Sequence, residues 1–241
     1  MIRPCGCHRD TTDPRDHVLS SRDLLLTTPP PAFSFEPCVD FRFDQEQTSS
    51  CVLHAFSTAF ILALDFAKQR RIIPSRSALY YWAREVGGNA YMDDGTSIRN
   101  AIKAAKLLGI PEEDSWPWHK GVTDKPSWAA YRSAADRRML SGYRRIEQGD
   151  EERVKICIAS KMPVIFGIPV NSAFMDLTTR DVWDFSGRSE GNHAMCAIGY
   201  DSDSVTIVNS WRLFGDNGVG RISWPTFNRF AFDLWTISLQ S

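Results

Sequence analysis

Apolar residues cover nearly the whole circumference of the stretch from Val52 to Leu64, which predicts a buried helix running from Cys51 to about Gln69. Ser49 and Ser50, immediately ahead, offer N-cap hydroxyls. A second helix is expected after Pro74-Ser75, carrying Leu79, Tyr80, Tyr81 and Trp82 and stopping at Gly87-Gly88. A third starts after Gly95, with Thr96 or Ser97 as its cap. Its stripe of Ile98, Ala101, Ile102 and Ala105 is helical, and Gly109-Ile110-Pro111 ends it. Two more helices are expected, at Trp128–Met139 and near Glu151–Ser160. Then the pattern changes to short strand-like runs at Val164–Val170, Ala194–Tyr200, Val205–Val208, Arg221–Trp224 and Phe232–Ser238. A helical first half and a β-rich second half place the default site in the cleft between them.

Residues 1–37 break this order. Asp13-Pro14-Arg15-Asp16 and Thr27-Thr28-Pro29-Pro30-Pro31 read as turn and polyproline material, so this part is an irregular tail or a short strap. The folded domain is expected over 38–241, with a helical lobe at about 45–130 and a β-rich lobe at about 131–241.

The 241 residues are 43% hydrophobic and 24% charged with a formal net charge of −1, the balance of a soluble globular chain. Neither a nucleic-acid nor a membrane partner is favoured by that charge. No apolar run is long enough for a membrane span, and the first ten residues lack the apolar core of a secretory signal, so a cytoplasmic location is expected. Six cysteines, at 5, 7, 38, 51, 157 and 196, are read as mostly reduced, with Cys157 and Cys196 buried as small hydrophobes. Cys5-Gly6-Cys7-His8 with Cys38 has the donor types for a metal but no supporting spacing, so no metal is assigned.

Cys51 is the residue with chemistry to offer. A helix N-terminus carries partial positive charge and unsatisfied N–H groups, which favour a thiolate and can bind a developing oxyanion. A buried structural cysteine in the first turn of a core helix is equally compatible with that position alone. Of the five histidines, His193 stands at the mouth of an apolar strand, and Asn209-Ser210-Trp211 follows the next one. His54, three residues beyond Cys51, has no evident orienting partner and reads as a packed polar residue. His8, His17 and His119 read as ordinary tail or loop histidines.

Taken together, Asp44-Gln45-Glu46-Gln47-Thr48-Ser49-Ser50-Cys51, Gly191-Asn192-His193-Ala194 and Asn209-Ser210-Trp211 resemble the active-site segments of papain-like cysteine peptidases, especially bacterial ones. His193 and Asn209 follow Cys51 by 142 and 158 residues, against about 130–150 in that family's signature. The resemblance implies an α+β papain-like fold, with a helical N-terminal lobe, a β-barrel-like C-terminal lobe and the active site in the cleft. It implies Cys51 as nucleophile, His193 as base, Asn209 as its orienter and Gln45, six residues ahead of Cys51, as oxyanion donor. Gln47 has the same chemistry at the wrong spacing. Trp211 would shield the His193–Asn209 bond, and Gly95 would fall where the family binds extended peptide through its backbone, although it also reads as a turn glycine before a helix cap.

On this resemblance the expected activity is hydrolysis of peptide or amide bonds through a thioester, by a monomer acting on a peptide or protein, with no cofactor. Acyl transfer or isopeptide cleavage through the same thioester is the nearest rival, and a non-catalytic peptide-binding module the more distant one. Departures from the family pattern are Thr48 where many members have a disulfide cysteine, and Ser49 where glycine is common. Val52 stands where tryptophan is usual in eukaryotic members, and Arg212 follows Trp211 where glycine is usual. They bear on the primed side of the cleft rather than on the catalytic set.

Overall fold

A computed structural model describes residues 4–24, 28–118 and 121–240. The expectations placed on Thr27 and His119 lie outside the described residues. Strands are β1 (Cys7–His8), β2 (Phe33–Ser34), β3 (Thr96–Ser97), β4 (Leu140–Ile146), β5 (Val164–Val170), β6 (Val182–Trp183), β7 (Gly191–Tyr200), β8 (Ser204–Val208), β9 (Val219–Ser223) and β10 (Phe232–Leu239). Helices are α1 (Cys51–Phe66), α2 (Arg76–Val86), α3 (Ile98–Leu108), α4 (Trp128–Ala135), α5 (Glu151–Ala159), α6 (Ser172–Met175) and α7 (Trp224–Phe230).

The first half is helical and the second is one mostly antiparallel sheet in the order β4-β10-β5-β7-β8-β9-β6, with β2 added on β7. Helix α1 lies where the halves meet: it packs on α2 and α3 on one side and on β5, β7 and β10 on the other. That accounts for its apolar circumference, since every residue from Cys51 to Leu62 is buried. It stops at Phe66, short of Gln69. Ser50 is its N-cap residue, but the Ser50 hydroxyl bonds Thr48 Oγ1 and His54 Nδ1 instead of an α1 amide. Ser75 and Ser97 cap α2 and α3 through their side chains, accepting from the N–H groups of Ala78 and Asn100.

Other boundaries also differ from the sequence pattern. Helix α4 ends at Ala135, because the chain from Leu140 onward pairs with β10 as strand β4. Trp224 opens α7 rather than closing a strand, since Ser223 caps that helix and Pro225 occupies its first turn. No helix among the described residues is long and apolar enough to cross a membrane.

Residues 4–24 wrap the domain. Strand β1 pairs in parallel with β3, and Val18 bridges Arg145 on the free edge of β4. Cys7 and Leu19 are buried, as is Phe35 near β2. Arg99, at the start of α3, fastens this strap: Nη1 pairs with Asp16 at 2.7 Å and Nη2 donates to the Thr11 carbonyl at 2.6 Å. Asp10 ties both halves, accepting from the Arg99 backbone N–H and from Trp235 Nε1 of β10.

Candidate active site

The site is assembled by register. Strand β5 pairs Ile168 with His193 and Gly167 with Ala194, which sets the start of β7 beside the start of α1. His193 is fully buried, and its Nε2 meets Asn209 Oδ1 at 2.7 Å. Asn209, just past β8, is held by its own N–H to the Gly218 carbonyl at 2.9 Å, and its Oδ1 also accepts from the Ser210 N–H at 2.7 Å. Trp211 stacks on the imidazole with ring centroids 4.0 Å apart and 24° between the planes. A bond so covered is strengthened by its low-polarity surroundings.

Cys51 is the first residue of α1 and is fully buried. Burial pushes its thiol up to about 11, opposed by hydrogen bonding from the backbone at Ala194, Gly6, Val52 and Cys51 itself. The Ala194 contact brings the residue after His193 onto the thiol.

Gln45 is buried and fixed at three points. Its backbone N–H donates to the Ser210 carbonyl at 2.9 Å, and its Oε1 accepts from the Ser210 hydroxyl at 2.7 Å. Its Nε2 donates to the Thr48 carbonyl at 2.7 Å and to the Pro4 carbonyl at 3.1 Å. Gln47 is exposed and takes no part. Ser210, immediately after Asn209, therefore orients the amide from the opposite half of the molecule. Its hydroxyl beside two candidate residues was the only sequence signal for that role.

Gly95 has φ +94° and its N–H donates to the Tyr80 hydroxyl at 3.0 Å. The Tyr80 hydroxyl donates to Asp93 Oδ1, which also accepts the Ser49 N–H at 3.0 Å, so the segments carrying Gly95 and Cys51 share one carboxylate. A Cβ on Gly95 would lie 2.2 Å from the Gly6 carbonyl oxygen. Both the backbone conformation and the close approach of another chain thus require glycine here. That chain is the strap. The Gly6 carbonyl accepts from the Thr96 N–H at 2.9 Å, and a Cβ on Gly6 would lie 1.9 Å from the Ser49 carbonyl oxygen. Pro4 to Cys7 therefore run through the groove between Gln45, Cys51 and Gly95, a placement nothing in the tail's composition announced.

His54 is buried, with Nδ1 near the Ser50 hydroxyl and carbonyl and its ring edge-on to Trp118. Burial, with the Arg76 charge next, lowers it to about 3, so it stays neutral. A hollow of about 330 Å³ is lined by Asn209 and Trp211 together with Arg42, Asp44, Glu46 and Arg212, among others. Cys157 and Cys196 are buried as expected. No group of three or more His, Cys, Asp or Glu side chains among the described residues is arranged to hold a metal ion.

The papain family cysteine protease profile matches residues 39–229. Xylellain, a cysteine protease from Xylella fastidiosa, is 26% identical and superposes with a TM-score of 0.89, covering 100% of this chain and 99% of that one. An uncharacterized peptidase C1-like protein of Acanthamoeba polyphaga mimivirus is 28% identical over 213 residues, 80% of this chain and 68% of its own length. Digestive procathepsin L 3 of Tenebrio molitor larval midgut, 20% identical with a TM-score of 0.76 over 98% of this chain and 76% of that one, shares the fold.

Proposed function

The chain belongs to the papain family of cysteine proteases, and we propose that it is a cysteine-type peptidase that hydrolyses peptide bonds through a thioester on Cys51. The observation that carries this reading is the buried 2.7 Å bond between His193 Nε2 and Asn209 Oδ1, roofed by Trp211, on the strand end whose next N–H meets the Cys51 sulfur.

In this mechanism His193, oriented by Asn209, takes the thiol proton through its other ring nitrogen, and the α1 amides support the thiolate. The sulfur attacks the substrate carbonyl carbon, and the oxyanion is held by the Cys51 backbone N–H and Gln45 Nε2. His193 returns the proton to the leaving amine. Water, activated by the same imidazole, then opens the thioester and frees the acid. Trp211 keeps water off the histidine–asparagine bond, and Gly95 pairs with the extended substrate backbone.

Residues 1–37 act in this reading as a propeptide-like strap. Pro4, Gly6 and the buried Cys51 put the chain in a closed form, in which substrate reaches the thiol only after the strap moves.

The test is labelling with an epoxysuccinyl thiol probe, followed by mapping of the adduct. It compares the full chain, a Gly6→Val chain whose strap clashes with Ser49, and Cys51→Ala and His193→Ala in the Gly6→Val background. Labelling at Cys51 that requires His193, together with cleavage of a mixed peptide library, is the expected result. A Gly6→Val chain that neither labels nor cleaves overturns the reading. Products formed with and without an added amine acceptor separate hydrolysis from acyl transfer.

A further inference from the structure

Three thiols converge on the cleft. Cys51 opens α1, and Cys5 and Cys7 lie on the strap segment that covers it. The strap backbone is pinned on both sides of Cys5: the Pro4 carbonyl accepts from Gln45 Nε2 at 3.1 Å, and the Gly6 N–H is directed at the Cys51 sulfur. The Gly6 carbonyl is in turn held by the Thr96 N–H at 2.9 Å. The Cys5 Cα is thus two covalent bonds from a nitrogen that touches the nucleophile. A disulfide between Cys5 and Cys51 requires Cα atoms about 4.4–6.8 Å apart.

The two strap cysteines differ in how they are placed. Cys7 is buried, with its sulfur against Gly167 on β5: a Cβ on Gly167 would lie 2.8 Å from it. Cys5 is half-buried at Gly191, two residues before His193, where a Cβ would lie 2.7 Å from the Cys5 Cβ. Cys5 therefore sits at the mouth of the groove, open to a small oxidant or reductant, while Cys51 lies sealed beneath it.

We infer that Cys5 and Cys51 form a reversible regulatory disulfide, made by a peroxide and undone by a small thiol or dithiol. The Cys5 sulfur attacks one peroxide oxygen, the O–O bond breaks, and the departing oxygen takes the thiol proton and leaves as water. The product is a sulfenic acid on Cys5. The Cys51 sulfur then displaces that hydroxyl: an S–S bond forms, the S–O bond breaks, and the Cys51 proton leaves in a second water. Two electrons pass from the two thiols to the peroxide.

Desolvation, with the Cys51 charge next, pushes the Cys5 thiol up to about 12, and Cys51 itself stands at about 11, so both rest as neutral thiols. The bond ties the strap across the groove. Reduction begins at the half-exposed Cys5 sulfur and returns Cys51 as a thiol.

The regulatory meaning rests on Cys51 being the nucleophile, but the bond does not, so the test reads the bond. The full chain, with exposed Cys38 replaced by Ser, is treated with hydrogen peroxide, its thiols are counted after denaturation, and peptides are mapped without reduction. The expected result is a loss of two thiols, a peptide joining Cys5 to Cys51, and full recovery with dithiothreitol. Cys5→Ser and Cys5→Ala chains should instead keep the Cys51 thiol under the same treatment. A chain that keeps all its thiols, one that joins Cys51 to Cys7, or Cys5 variants that lose the Cys51 thiol as the parent does overturns the inference, whatever the peptidase assays give.

Discussion

Gln45 donates its side-chain amide to the carbonyl of Pro4 at 3.1 Å, so a residue just ahead of α1 already holds a carbonyl oxygen from the N-terminal strap. The amide proposed to receive an oxyanion and the strap proposed to exclude substrate therefore compete for one hydrogen bond. Opening the groove and arming Gln45 become the same event.

Strap docking should be lost when Gly6 gains a side chain. A Cβ there meets the Ser49 carbonyl oxygen at 1.9 Å, a backbone atom that cannot step aside. Overpacking of this kind costs about 1–3 kcal/mol, which is about 5- to 150-fold in the open population. Gly6→Val should raise the rate of Cys51 alkylation by that factor; an unchanged rate would show that the strap does not gate the thiol.

Asp16 should matter for the strap at a distance from the thiol. It pairs with Arg99 at 2.7 Å, both side chains being under a tenth exposed, and removing one partner of a buried pair costs about 3–5 kcal/mol. Arg99 keeps Asp10 and Thr11 as neighbours, which favours the lower end of that range. Hydrogen exchange read segment by segment should speed up across the strap in Asp16→Ala and stay slow in α1. Equal acceleration in both would mean the whole domain had loosened.

Gln45→Ala, made in the Gly6→Val background, should lower kcat by about a hundred- to a thousandfold, the usual effect of losing one oxyanion donor. KM should move little, because the amide is proposed to act on the developing oxyanion. A change confined to KM would reassign Gln45 to ground-state binding.

Asp233 supplies a pH signature. Burial, and the Asp10 carboxylate beside it, raise it from 3.8 to about 6, against the pull of the Asp10 N–H, Arg145 and Arg9. A folded-state value above the unfolded one means that the protonated form is favoured in the fold. Its contribution is full below pH 3.8 and is lost as pH rises through about 6. Asp233→Asn should therefore raise the melting temperature at pH 8 and leave it unchanged near pH 3.5. Its φ of +48° suits asparagine as well as aspartate. A stabilisation that does not depend on pH would rule out this origin.

Much of the site was legible because its signals are local or evenly spaced. The apolar circumference of α1 marked a helix buried on all sides, and β5 was readable from end to end as Val164–Val170. Strand β4 was not: Leu-Ser-Gly-Tyr-Arg-Arg-Ile is buried only at its two ends and exists because β10 pairs with it. Strand β7 begins at Gly191, three residues before its apolar run, since cross-strand bonds to β5 carry the polar Asn192 and His193 into the sheet.

By itself the sequence determined which residue types stand at which separations: a cysteine at a helix start, a glutamine six residues ahead, and a histidine and an asparagine at family distance. Those facts are covalent, and they bound the chemistry. Only the tertiary structure decided that Ser210 orients Gln45, that Ala194 and Gly6 both reach the Cys51 sulfur, and that the Pro4 carbonyl accepts from the Gln45 amide. Each of these contacts joins residues more than forty positions apart in the chain. Register, burial and a close backbone approach bring them together, and none of these leaves a periodic trace in composition.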